Sequence, residues 1–167
     1  MASETISVSM RRSARAERPA APDESFSSLA FIHAASEAPA APGAYALLIA
    51  LSRPLEAKTG RSKATLAPGR YLYCGSAKGP GGLRARLGRH MRKDKRRRWH
   101  IDQLTEAGES LGAWITETKG ECELVAALSA LPVPLEGFGS SDCPRCRSHL
   151  LLWPEGAAPA FLAAQKC

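Results

Sequence analysis

The sequence predicts a small α/β sandwich, and three observations lead there. Ala44 to Leu51 is apolar on both faces, as a central strand is, and Arg70 to Gly75 is a second strand-like run. The glycine-rich break Gly79-Pro80-Gly81-Gly82 then opens an amphipathic helical pattern from about Leu83 to Lys93. After it the chain alternates: a helical piece, a strand, another helix and a last short strand. Strands first, then helices interleaved with strands, suit a sheet flanked by helices, its close opening pair antiparallel.

Each element has a local reason. Residues 1 to about 38 are rich in Ala, Ser, Pro, Glu and Arg without sustained apolar periodicity, so they read as a disordered extension with a short turn of structure around Phe26 to His33. In the first strand the two-residue period places Tyr45, Leu47, Ile49 and Leu51 on one face. Ser52 to Gly69 holds Pro54, Gly60, Pro68 and Gly69 and reads as a loop or an irregular hairpin arm. The second strand carries Tyr71 and Tyr73 on one face. Trp99 to Glu106 is the second helical piece, Leu111 to Thr116 the third strand, and Glu121 to Leu131 the third helix, stopped by Pro132 and Pro134. A Gly- and Cys-rich loop from Gly137 to Ser148 precedes the strand His149 to Trp153. The domain is thus expected over 39–153, with 154–167 as a tail.

At 167 residues there is room for one ordinary domain that needs no staples. The net charge of +7 is uneven. Residues 1–37 carry four Arg against five acids, whereas nine of the fifteen residues from Arg84 to Arg98 are basic and only Asp94 opposes them. Such a field favours a polyanion over an ordinary mixed surface. Five cysteines, no apolar core of a secretory signal and no apolar run near the ~20 residues of a membrane span point to a reducing cytoplasm.

The helix after the second strand has the clearest geometry. Leu83, Leu87 and Met91 form a stripe that docks on the sheet, Arg86, Arg89 and Lys93 share a flank, and His90 lies between. A cation at the edge of a docked face is held rigidly, so Arg86 suits a clamp on the extra charge of a pentacovalent phosphate; the competing reading is a snorkelling arginine. On the third helix Leu124, Val125, Leu128 and Leu131 make the buried stripe. Glu121 projects within that stripe and Glu123 away from it. Glu121 is therefore the acid placed to hold Mg²⁺ through one oxygen, although both acids also compensate the helix dipole.

Gly43-Ala44-Tyr45, Tyr73-Cys74-Gly75 with Ser76-Ala77-Lys78, Arg86 with Arg89-His90, and Glu121 occur in this order. So ordered, they resemble the GIY-YIG nuclease superfamily. Trp99-His100-Ile101-Asp102, Glu121-Cys122-Glu123-Leu124 and Gly137-Phe138-Gly139-Ser140-Ser141-Asp142-Cys143 through Ser148-His149-Leu150 are similar to its Uri-like branch. The resemblance covers about residues 40 to 153. It implies a three-stranded antiparallel sheet flanked by helices, and cleavage of DNA phosphodiesters that depends on Mg²⁺ or Mn²⁺. Tyr45 or Tyr73 would take the proton of the attacking water, His90 would join the catalytic set, Arg86 would stabilise charge and Glu121 would hold the metal. Lys78, Arg84, Arg89, Lys93 and Arg97 would contact the nucleic acid. A phenol of pKa near 10 is a poor base, so Arg86 and the metal would have to lower it. Ala44 and Cys74 replace the usual isoleucines and are expected on the other sheet face.

Cys143, Cys146 and His149 are ligand types that suit zinc. Only three are local and the spacing to His149 is tight, so a loop packed by buried thiols outweighs a zinc site in this reading. His100 and Asp102 point together only on an extended segment, where both would stand near the phosphate. Two other function classes compete with the nuclease: a nucleic-acid-binding module on the same scaffold with catalysis weak or lost, and a zinc-dependent interaction protein.

Overall fold

The computed structural model describes residues 29–60 and 62–154. The readings of 1–28 and of the tail beyond Pro154 lie outside the described residues. In chain order the elements are β1 (Ala30–Ile32), a 3-10 turn (Ala35–Glu37), β2 (Gly43–Leu51), β3 (Leu55–Thr59), β4 (Ser62–Leu66), β5 (Gly69–Ala77) and α1 (Gly82–Met91). There follow α2 (Asp102–Ala107), β6 (Glu109–Thr116), α3 (Glu121–Ala127) and β7 (Leu150–Trp153).

The main sheet has five strands in the order β1-β6-β2-β5-β7, every neighbouring pair antiparallel. The expected three-stranded sheet is corrected by this. Strands β6, β2 and β5 form its centre, and both of its edges gain a strand. Ala30–Ile32 pairs with β6 from within the stretch read as an extension, and the apolar run Leu150–Trp153 pairs with β5. Each added strand satisfies backbone groups that a bare edge would leave open. The segment read as a loop or irregular arm contains a separate hairpin, β3–β4, whose alternation puts Ala57 and Leu66 inward.

Strand β2 is the axis. It pairs with β5 along its whole length, from Gly43 opposite Ala77 to Leu51 opposite Gly69, so Tyr45 faces Gly75 and Leu47 faces Tyr73. The two-residue period then sorts the core into two layers. One holds Tyr45, Leu47, Ile49, Tyr71 and Tyr73 with Leu83 and Leu87 of α1, Ile101 just before α2, Leu104 within it, and Phe138. The other holds Ala44, Ala46, Leu48, Leu72 and Cys74 with Trp114, Trp153, Leu124 of α3, and Leu128 and Leu131 in the turns that follow it; the helix expected to reach Leu131 ends at Ala127. Ala44 and Cys74 therefore fill the face away from the tyrosines. Each fully buried leucine of α1 contributes about 2 kcal/mol of apolar burial to this docking.

Helix α1 starts where only glycine fits. Gly81 and Gly82 have φ of 78° and 55°, and a Cβ on Gly82 would strike the backbone of Ala41. The far end is held by lysines rather than by a glycine. Lys95 Nζ donates to the carbonyls of His90 (2.6 Å) and Arg92 (2.8 Å) and bonds Thr105 Oγ1 (2.8 Å), while Lys93 Nζ donates to the carbonyls of Thr105 (2.7 Å) and Gly108. Cations at exposed helix C-terminal carbonyls are favourable through both hydrogen bonding and the helix dipole. Among the described residues no helix is long and apolar enough to cross a membrane.

Candidate active site

The sheet face beneath α1 and α2 brings together four of the residues singled out from the sequence: Tyr45, Tyr73, Arg86 and His90. Tyr45 comes from β2 and Tyr73 from β5. Their hydroxyls occupy space made by glycines on neighbouring segments. A Cβ on Gly75 would lie 2.5 Å from the Tyr45 hydroxyl, and one on Gly139 would lie 2.9 Å from the Tyr73 hydroxyl. Gly139, at φ 73°, also turns its loop in the left-handed region.

Tyr45 and His90 make the buried contact at the centre, with the hydroxyl 2.8 Å from Nε2. Tyr45 is 2% and His90 1% exposed. Burial, opposed by the Asp102 charge, holds the imidazole neutral with its pKa down at about 4. Its other nitrogen, Nδ1, lies 3.6 Å from Asp102 Oδ1. A proton on Nδ1 faces that carboxylate favourably and a lone pair there would be repelled. At 3.6 Å this is not a hydrogen bond, and Nδ1 has none among the described residues, but the carboxylate favours the Nδ1–H tautomer, in which the Tyr45 O–H donates to Nε2.

Asp102, at the start of α2, is fully buried and organises the arginine segment. It receives both guanidinium nitrogens of Arg89 (3.0 and 2.9 Å) and the backbone N–H groups of Arg98 (2.8 Å) and Trp99 (3.1 Å). These donors hold its carboxyl well below the usual carboxylate range despite burial. Folded in this way, the Arg96–Trp99 segment presents its side chains outward. A groove of about 510 Å³ opens there, lined by Tyr73, Lys58, Arg97, Arg98, Trp99, His100, Gln103 and Gly139. Arg86 stacks over the half-exposed Trp99 ring, 4.0 Å from its centroid.

Of the two influences expected to acidify the phenols, Arg86 by itself is outweighed. Burial raises both, with Arg86 pulling the other way: Tyr45 sits well above 10 and Tyr73 at about 12. Desolvation outweighs one partly buried guanidinium.

The remaining candidates are placed as follows. Arg89 is committed to Asp102, and Lys93 to carbonyls at the end of α2. Arg84 donates through Nε to the Ala38 carbonyl (2.8 Å), and Arg97 pairs with Glu106 at 2.5 Å. His100 lines the groove beside Tyr73, whereas Asp102 is behind it. Tyr71 donates its hydroxyl to the Ala67 carbonyl at 2.7 Å and is core.

Glu121 stands at the start of α3, on the opposite layer from the tyrosines. It is half-buried and lines a second groove of about 770 Å³ with Lys78, Cys122, Cys146 and Ser148. Burial is the main cause of the raised Tyr73 pKa, and the Glu121 charge adds only the smallest push in the same direction. Glu123 is exposed and accepts the Gly120 N–H at 2.7 Å, so the dipole-compensating role belongs to Glu123. Glu121 has no hydrogen-bond or ion-pair partner among the described residues.

Sequence reasoning missed Asp102 as the anchor, Lys95 as the helix cap and Cys122 as a neighbour of the later cysteines. Cys122, Cys143, Cys146 and His149 place one ligand-type atom each within 4.8 Å of one another. No local spacing signalled Cys122, because its partners lie twenty-one residues and more downstream.

Residues 44–166 match the family described as "Domain of unknown function DUF123". Comparison with curated proteins and with solved structures found no match. The family match extends over most of the chain, and the chain belongs to the DUF123 family.

Proposed function

We propose that this protein is a metal-dependent endonuclease of the GIY-YIG type, Uri-like branch, hydrolysing phosphodiester bonds in DNA. The observation that carries the reading is the convergence of Tyr45, Tyr73, Arg86 and His90 on one sheet face beside a cation-walled groove. Core tyrosines need no such company. Two strand phenols, a stacked guanidinium and a neutral imidazole are parts for proton transfer next to a phosphate.

The division of labour follows from the contacts. Tyr73 lines the groove, so its hydroxyl orients the scissile phosphate and the attacking water. Tyr45 has an acceptor for its own proton. As water attacks phosphorus and the bond to the leaving oxygen breaks, the water proton passes to the Tyr45 oxygen while the Tyr45 proton passes to His90 Nε2. The leaving oxygen takes up a proton in turn, and Asp102 opposite Nδ1 steadies an imidazolium that burial keeps transient. This relay avoids a free phenolate, which the raised phenol pKa values disfavour. Arg86 neutralises the charge that grows on the pentacovalent phosphate.

A half-buried carboxylate with no hydrogen-bond or ion-pair partner among the described residues fits the hard, largely hydrated ion that the family resemblance implies. Glu121 would hold Mg²⁺ or Mn²⁺ through one oxygen with waters completing the shell. An ion bound at Glu121, across the sheet from the tyrosines, would neutralise phosphate charge on that side of β5 and make the waters of its shell more acidic. The test is cleavage of single-stranded, branched and duplex DNA with Mg²⁺ or Mn²⁺ against a chelator control, beside Glu121→Gln. Metal-dependent cleavage that disappears in the variant is expected. Salt-sensitive binding without cleavage under any condition would instead leave a nucleic-acid-binding module on this fold.

A further inference from the structure

We propose that Cys122, Cys143, Cys146 and His149 form a structural zinc site that pins the start of α3 to the loop before β7. Three thiols and one imidazole are a complete tetrahedral set for zinc, and thiolates select it over the hard ions that suit Glu121. In such a site Zn–S is about 2.3 Å and Zn–N about 2.0–2.1 Å, which separates donors by about 3.6–3.8 Å. Here Cys122 Sγ and Cys143 Sγ are 3.5 Å apart, and all four donors lie within 4.8 Å of one another. Small side-chain rotations close the set.

Independent evidence comes from His149. It is only 6% exposed, yet its Nε2 is buried with no hydrogen-bond partner among the described residues. An orphaned buried nitrogen is costly, and a metal would satisfy it. The backbone already fixes the position: His149 N–H donates to the Phe138 carbonyl, and its carbonyl accepts from Cys74 N–H, each at 2.9 Å. Cys143 N–H likewise donates to the Ser140 carbonyl at 3.0 Å. The ligands are therefore delivered by folded segments.

The fold also has a use for a clamp. No helix or strand occurs between the end of α3 at Ala127 and the start of β7 at Leu150. Connections beyond about 12–15 residues without regular structure are uncommon in compact domains. This one carries Gly139, which packs on Tyr73, and ends on the strand beside it. A closed four-ligand site would tie it to Cys122, the residue next to Glu121. The zinc would be structural, with no open position for water.

The experiment is elemental analysis of the full chain purified with a thiol reductant and without chelator. One zinc per chain is expected. Cys122→Ser and Cys146→Ser should lose it, and Cys74→Ala, which removes a buried thiol outside the cluster, should keep it. Should the serine variants fail to fold, Co²⁺ added to metal-depleted wild type gives an independent readout: intense tetrahedral d–d bands with thiolate charge transfer. Zinc-free wild type that takes up no tetrahedral Co²⁺ overturns the proposal. So does stoichiometric zinc retained in both serine variants, or a Cys122–Cys143 disulfide in the reduced preparation. None of these readouts depends on DNA cleavage.

Discussion

The Tyr45 hydroxyl of β2 and His90 Nε2 of α1 meet at 2.8 Å inside the protein, although the two residues are forty-five apart along the chain. Each would be an unpaired buried polar group without the other. If they act together as a proton relay, removing either end should cost about as much as removing both. Tyr45→Phe, His90→Gln and the double variant should then lower kcat by similar factors, on the order of 10²-fold, because groups acting as a unit are not additive. Multiplicative losses in the double variant would separate the two residues.

The same burial sets an acid limit on stability. His90 has its folded pKa depressed from 6.5 to about 4, so between those values the unfolded chain binds a proton that the folded chain does not. Stability is present above about pH 6.5 and falls as pH drops toward about 4, by about 3 kcal/mol for this group. Urea unfolding across that window should show the slope in wild type and a shallower one in His90→Gln. An unchanged slope in the variant would assign the acid sensitivity to other groups.

Asp102 joins Arg89 to the backbone of Arg98 and Trp99, so its removal strands a partly buried guanidinium and two donors. Asp102→Ala should destabilise the fold by about 3–5 kcal/mol, the range for breaking a buried pair from one side. Thermal or urea unfolding measures it. A change under about 1 kcal/mol, the scale of an exposed pair, would show that water reaches the carboxylate in solution.

Basic residues in the same run should divide into two kinds. Arg92, Arg96 and Arg98 are exposed, and their side chains have no hydrogen-bond or ion-pair partner among the described residues. Substituting each by Ala should reduce the slope of log K against log salt for DNA binding by about 0.7–0.9 for each phosphate no longer neutralised. Lys93, occupied with carbonyls at the end of α2, should affect stability more than the salt slope. Fluorescence anisotropy across a salt series distinguishes them, and equal slopes for Lys93→Ala and Arg98→Ala would dissolve the distinction.

Most of what periodicity governs was legible. The apolar run of β2, the stripe of α1 and the contrast between Glu121 and Glu123 follow from spacings of 2.0 and 3.6 residues, and the structure agrees. The hairpin β3–β4 was hidden because Pro54, Gly60, Pro68 and Gly69 signal breaks, yet they lie just outside its two five-residue strands. Strand β1 is three residues long, too short for any period to register. The phenols' direction of shift depended on burial depth, and Asp102's partners on how a chain of arginines folds back. Neither is encoded in spacing. Cys122 escaped for the same reason: its partners lie twenty-one residues and more downstream.

The phosphate-facing role proposed for Arg86 is tested most directly by comparing Arg86→Ala with wild type in single-turnover DNA cleavage, with affinity measured on the same substrate. A cleavage rate lower by at least ~10²-fold with binding largely retained is expected of a group that acts on the transition state. Cleavage at the wild-type rate in Arg86→Ala would contradict that role, and with it the active site assembled around Tyr45, Tyr73 and His90.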